Sequence, residues 1–99
     1  MAYIVRMSEP VRIYLGTLAG FTRKGRLSLM VGTVGLLRDY GDALRADPSR
    51  RVASGSPYFR FDHIFSDAGC LWRADCVADD SAAAYGLIQL VFIDCQQGT

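Results

Sequence analysis

The side chains of this 99-residue chain with the most evident chemistry are its arginines and its single histidine. Lys24 is the only lysine, so every other cationic side chain is a guanidinium. A guanidinium offers a planar fork that binds phosphate through two parallel hydrogen bonds and stacks on bases. A coding bias toward arginine explains the same excess equally well. His63 has the one side chain whose ordinary pKa lets it exchange a proton near neutral pH. Arg50 and Arg51 adjoin in a turn-rich segment, where two guanidinium groups either grip a phosphate or stay solvated. Other chemistries lack their residues. There is no Ser/His/Asp set, no His-Glu-x-x-His and no carboxylate pair with a pocket signature, which argues against the hydrolases built on them. Cys70, Cys76 and Cys95 form an odd set without Cys-x-x-Cys or Cys/His metal spacing. Reduced, mostly buried thiols are expected, with no metal and no cofactor.

Formal net charge is +1, so long-range electrostatics exert little pull toward nucleic acid or membrane. Hydrophobic residues make up 51% of the chain, enough for one core without disulfides or a metal. A single domain over residues 1–99 is expected. The opening Met-Ala-Tyr-Ile-Val-Arg-Met is too short and mixed for a signal peptide, and no apolar run approaches the ~20 residues that span a bilayer. A cytoplasmic protein with no membrane association is expected.

The elements that must position these side chains follow from periodicity. Tyr3 to Met7 reads as a strand. Ser8-Glu9-Pro10 starts a helix whose stripe is Val11, Tyr14, Leu15 and Leu18, stopped by Gly20. Thr22 caps a longer helix with apolar positions Leu27, Met30, Val31, Val34, Leu37 and Tyr40. Gly25, Gly32 and Gly35 weaken it and let the first helix pack closely. Gly41 is placed to end it, with one further turn over 42–46. Residues 47–57 form a loop. Tyr58 to Phe65 alternates, with Phe59, Phe61, His63 and Phe65 on one face and Tyr58, Arg60, Asp62 and Ile64 on the other. Residues 66–69 form a hairpin turn, Cys70 to Val77 the next strand, and Gly86 to Cys95 a nearly all-apolar, central strand.

The order β-α-α-β-β-β predicts an α+β fold, with a helical hairpin on one face of a small antiparallel sheet. The other face is left partly open, with Tyr, Arg and Asp side chains on it. Each candidate also has a plainer role. The alternation that holds His63 among phenylalanines makes it a half-buried packing residue. Arg60 and Asp62, two apart on one face, fit a surface ion pair. Trp72 and Cys70 share a face that suits the core.

This order of elements resembles the RelE/ParE/HigB superfamily of bacterial toxins. The segment Leu36-Leu37-Arg38-Asp39-Tyr40-Gly41-Asp42-Ala43-Leu44, a basic loop, then Ser56-Pro57-Tyr58-Phe59-Arg60-Phe61 is similar to the HigB-like pattern. Gly69-Cys70-Leu71-Trp72-Arg73 stands where that superfamily often has an arginine-bearing strand. The resemblance covers residues 3–95 as topology and residues 36–75 as sequence.

Members of the superfamily mostly cleave messenger RNA on the ribosome and are held inactive by an antitoxin. The resemblance therefore implies a metal-independent endoribonuclease that acts on ribosome-associated RNA and is regulated by an antitoxin partner. RNA self-cleavage needs the 2′-hydroxyl deprotonated, the phosphorane charge stabilised and the leaving oxygen protonated. On this reading Arg60 and Arg73, projecting side by side from neighbouring strands toward solvent, stabilise charge, His63 moves a proton, Tyr58 stacks on a base, and Arg50 and Arg51 bind RNA. Two departures weigh the other way. The tail, residues 94–99, lacks the basic or aromatic residues that active members carry, and Asp62, Asp75, Asp79 and Asp80 place negative charge near the proposed face. The rival expectation is a non-catalytic protein-interaction module of the same fold. A topoisomerase inhibitor of the ParE kind is a third, and a homodimer is compatible with each.

Overall fold

The computed structural model describes residues 2–18 and 20–97; the tail beyond Gln97 lies outside the described residues. In chain order the elements are β1 (Ile4–Met7), α1 (Glu9–Gly16), α2 (Arg23–Ala46), β2 (Tyr58–Asp67), β3 (Cys70–Asp79) and β4 (Leu87–Gln97), with short 3-10 turns at Pro48–Arg50 and Ala83–Tyr85. The α+β class and the β-α-α-β-β-β order hold. The sheet order is β1-β4-β3-β2. It is mixed rather than wholly antiparallel, because β1 pairs in parallel with β4 while β2–β3 and β3–β4 are antiparallel. The cause is connectivity: two reversals return β4 to the direction of β2, and the two-helix connection from β1 brings β2 back running the same way as β1.

Helix starts follow the sequence closely. The Ser8 hydroxyl accepts from the Val11 N–H, and the Thr22 hydroxyl accepts from the Gly25 N–H at 3.0 Å. The first helix stops earlier than expected, at Gly16, where the Thr17 N–H donates to the Ile13 and Tyr14 carbonyls. Gly20 instead sits in the connection with φ +99°.

The long helix departs most from the periodicity. Its buried row is Gly25, Leu29, Thr33, Leu37 and Gly41, while Leu27, Val31 and Tyr40 of the expected stripe are 60–65% exposed. A strict four-residue row is inclined by about 26° to the helix axis. That incline carries α2 diagonally across the sheet. A Cβ at Gly25 would fall 2.1 Å from an Asp67 carboxylate oxygen, one at Gly32 2.9 Å from the His63 ring, and one at Gly41 2.7 Å from the Tyr3 ring. The glycines therefore fit α2 to the sheet, not to α1. Gly41 does not end the helix, because its missing side chain is what lets Tyr3 and Ile88 lie beneath it.

Both helices share one core. Val11 and Leu15 of α1 and Leu29 and Leu37 of α2 cluster with Phe59, Phe61, Phe65, Ile88, Leu90 and Ile93. Where β1 stops, α1 takes over the edge of β4: the Tyr14 hydroxyl accepts from the Cys95 N–H at 3.0 Å. At the other end of α2, the Asp67 carboxylate accepts from the Thr22 N–H and hydroxyl, tying the end of β2 to the helix N-terminus. The partial positive charge of that terminus favours a carboxylate. The β2–β3 turn closes on two residues, Ala68 (φ 52°) and Gly69 (φ +81°), so both strands run further than the alternation indicated.

Substitutions on α2 separate these roles. Gly41→Ala is expected to cost about 1–3 kcal/mol through the clash with Tyr3. Gly35→Ala, which meets nothing within 4 Å, is expected to stabilise the helix by up to about 1 kcal/mol. Urea denaturation of the two variants measures both.

Candidate functional site

The face of the sheet opposite the helices is built from strand alternation. Across β2, β3 and β4 it carries three successive cross-strand rows: Arg60–Val77–Phe92, Asp62–Asp75–Asp94 and Ile64–Arg73–Gln96. An extra residue in β4, at the register shift beside Val77 and Ala78, turns Phe92 outward, where it is 50% exposed. Beside the first row, the turn after α2 forms a cavity of about 490 Å³ whose lining includes Asp47, Arg50, Arg60, Asp62, Val77 and Phe92.

Arg60 and Arg73 project from the same face, as expected for neighbouring strands, but they are not side by side. Arg60 lies opposite Val77, four residues along β3 from Arg73, which is roughly 13 Å at the usual rise per residue. The aspartate row runs between them. Arg73 is held by Asp75 at 3.1 Å and donates to the Gln96 side chain at 3.1 Å. The Arg60 guanidinium makes no hydrogen bond or ion pair among the described residues, and the expected pairing with Asp62 does not form.

His63 is on the covered face. Its Nε2 lies 2.6 Å from the Thr33 hydroxyl, which itself donates to the Leu29 carbonyl at 2.8 Å. With the hydroxyl's proton committed to Leu29, the neutral tautomer that suits this contact is the one in which Nε2 donates to the hydroxyl oxygen. Burial lowers the His63 pKa from 6.5, against smaller raising effects of the Ile64 backbone and Asp62. The sheet itself separates this imidazole from Arg60.

The remaining candidates divide. Tyr58 is exposed on the open face two residues from Arg60. Arg50 lines the cavity, pairs with Asp47 at 3.4 Å and donates to the Arg60 carbonyl. Arg51 is a structural staple: it donates to Asp80 at 2.7 Å and to the Arg45 carbonyl at 2.9 Å, with its guanidinium 5.5 Å from the Phe59 ring centre. Burial alone would raise the Asp80 pKa, but hydrogen bonds from Arg51 and Arg45 outweigh it and hold the carboxylate below its usual range. Of the thiols, Cys76 is buried and pushed up to about 12 by desolvation, Cys95 is half-buried, and Cys70 is exposed at the hairpin.

The structure thus brings together Tyr58, Arg60 and Arg50, and places Arg73, His63 and Arg51 elsewhere. It adds Val77, Phe92 and Asp94 to the face. Neither Phe92 nor Asp94 carried a readable signal, because β4 is nearly all apolar and their outward turn depends on its extra residue. No three His, Cys, Asp or Glu side chains among the described residues are grouped to hold a metal ion, and no helix there is long and apolar enough to cross a membrane. Comparison of the chain with protein-family models, with curated proteins and with solved structures finds no match.

The buried imidazole makes stability depend on pH. With the folded pKa below 6.5, stability is full above pH 6.5, where neither state is protonated. It falls with pH below that value, as the unfolded chain takes up a proton that the folded chain refuses until its own lower pKa. Melting curves from pH 7 to pH 5 should therefore decline less steeply for His63→Gln than for the wild type.

Proposed function

We propose that this domain is a non-catalytic protein-interaction module that binds a polypeptide through the open face of its sheet. The row Asp62–Asp75–Asp94 carries this reading. Three carboxylates on adjacent strands, with Cβ atoms about 5 Å apart, form a net negative row that would repel phosphate, although Asp75 pairs with Arg73 and Asp94 accepts from the Tyr14 hydroxyl. They suit cationic side chains spaced along an extended chain, while Val77 and Phe92 offer an apolar floor beside them. Arg60, unpaired at the rim, answers a carboxylate of the same partner.

A second reading, the toxin-like endoribonuclease held by an antitoxin, keeps one observation in its favour. The unpaired Arg60 guanidinium stands with Arg50 beside a cavity large enough for a nucleotide, and Tyr58 is close in sequence for stacking. It lacks a proton-transfer group on that face, because His63 is under α2, and its second arginine is engaged by Asp75.

Calorimetric titration with two probes separates the readings. The first probe is a peptide alternating lysine with valine; the second is a single-stranded oligoribonucleotide. The interaction module predicts peptide binding that weakens at least tenfold in an Asp62→Asn, Asp75→Asn variant, with no RNA binding. RNA binding that falls steeply with salt, together with growth arrest by the wild type and not by Arg60→Ala, would establish the nuclease instead.

A further inference from the structure

The outer edge of β2 ends the sheet, and only part of it is covered. The Val52 N–H donates to the Tyr58 carbonyl, Arg51 bridges Phe59, and the Arg50 side chain donates to the Arg60 carbonyl. These contacts also fix the phase of the strand. Even-numbered residues direct their backbone groups outward, and the Pro57 carbonyl, which accepts from the Asp80 N–H, points toward β3. Beyond Arg60, the N–H and C=O groups of Asp62, Ile64 and Ser66 face outward with no partner among the described residues. The opposite edge offers less: β1 is only four residues long, and α1 covers β4 beyond it. Residues 61–67 have none of the lysines, prolines or bulges that usually blunt an edge.

We propose that this edge pairs with the same edge of a second copy, antiparallel about a two-fold axis at Ile64, to give one continuous eight-stranded sheet. Three observations select a second copy. The free stretch, 61–67, is bounded by the Arg50–Val52 cover at one end and the Ala68–Gly69 turn at the other, and its midpoint is Ile64. A two-fold axis there pairs the whole stretch with itself and satisfies every outward backbone group, in about six hydrogen bonds. The register is also self-complementary. It sets Ile64 against the second copy's Ile64, and Asp62 against the second copy's Ser66, so that a carboxylate meets a hydroxyl. Moving the axis two residues toward the start of the strand, a four-residue slide in register, would oppose Asp62 to itself, which is destabilising. Finally, the apolar residues left over by the fold gather at this edge. Ile64 is 61% exposed and Val31 65%. Both line a groove of about 520 Å³ between α2 and β2, and Leu27 lies one helical turn before Val31. Two copies joined at β2 set Ile64 against Ile64 on the open face, and bring their α2 helices to either side of the axis on the other face, so that Val31 and Leu27 of each copy face those of its partner copy there. The open face with its aspartate row stays accessible on both copies.

Light scattering on the eluting protein tests the dimer. The wild type is expected at about twice the 10.9 kDa chain mass. Ile64→Lys, which sets two ammonium groups against each other at the axis, is expected at the single-chain mass with unchanged circular dichroism. Opposed hydrogen-bonded residues have Cα atoms about 5.5 Å apart, within reach of a disulfide. Ile64→Cys in a Cys70→Ser background should therefore oxidise to a covalent dimer, which decides the matter if Ile64→Lys does not fold. A monomeric wild type, a dimer that survives Ile64→Lys in folded form, a mass fitting one chain plus a foreign strand, or no cross-link at position 64 would each overturn the proposal.

Discussion

The close seating of α2 on the sheet is the constraint from which the rest of this structure follows. A helix can approach a sheet only as near as its facing side chains allow, and here the facing row has glycine at both ends and threonine at its centre. Its incline sends the helix from the end of β2, at Asp67, across His63 to Tyr3 and Ile88 near β1 and β4. The contact at the helix start is more than a steric fit. A carboxylate that is nearly buried takes the N–H and hydroxyl of Thr22, while Thr22 in turn accepts from Gly25. Sheet, cap and helix terminus are thereby one unit, and the missing Gly25 side chain is the space that Asp67 occupies.

This seating sorts the chemistry-bearing residues. It draws His63 under the helix, neutral and tied to Thr33, and leaves Arg60 on the far side of the sheet. It also limits the buried row of the helix to Leu29 and Leu37 between smaller residues, so that Leu27 and Val31 are left outside beside the edge of β2. The open face is then a product of strand alternation and of the extra residue in β4, which together set three aspartates abreast at matching register on three strands.

The sequence was legible where the signal is local. Caps at Ser8 and Thr22, the alternation of β2, the turn after it and the apolar central strand β4 all depend on neighbours a few residues away; they are where the pattern put them, except that the turn narrows from residues 66–69 to Ala68 and Gly69. Hydropathy misled along α2, because it ranks Leu27 and Val31 above Gly25, Gly32 and Gly41, whereas close packing reverses that order. The spacing of Arg60 and Arg73 was beyond reach without the strand register, since one residue of slip changes which side chains are opposed. Arg51 looked like a solvated or phosphate-binding residue because its partner Asp80 is 29 positions away in the chain.

The seating of α2 on its carboxylate clasp is tested most directly by a double-mutant cycle between Thr22→Val and Asp67→Asn, followed by urea denaturation. If the two side chains act as one unit, the cycle should return a coupling of about 1–3 kcal/mol, because the second substitution removes little that the first has left. Strictly additive effects would contradict the account, since Asp67 would then be buried at the helix start without holding it there.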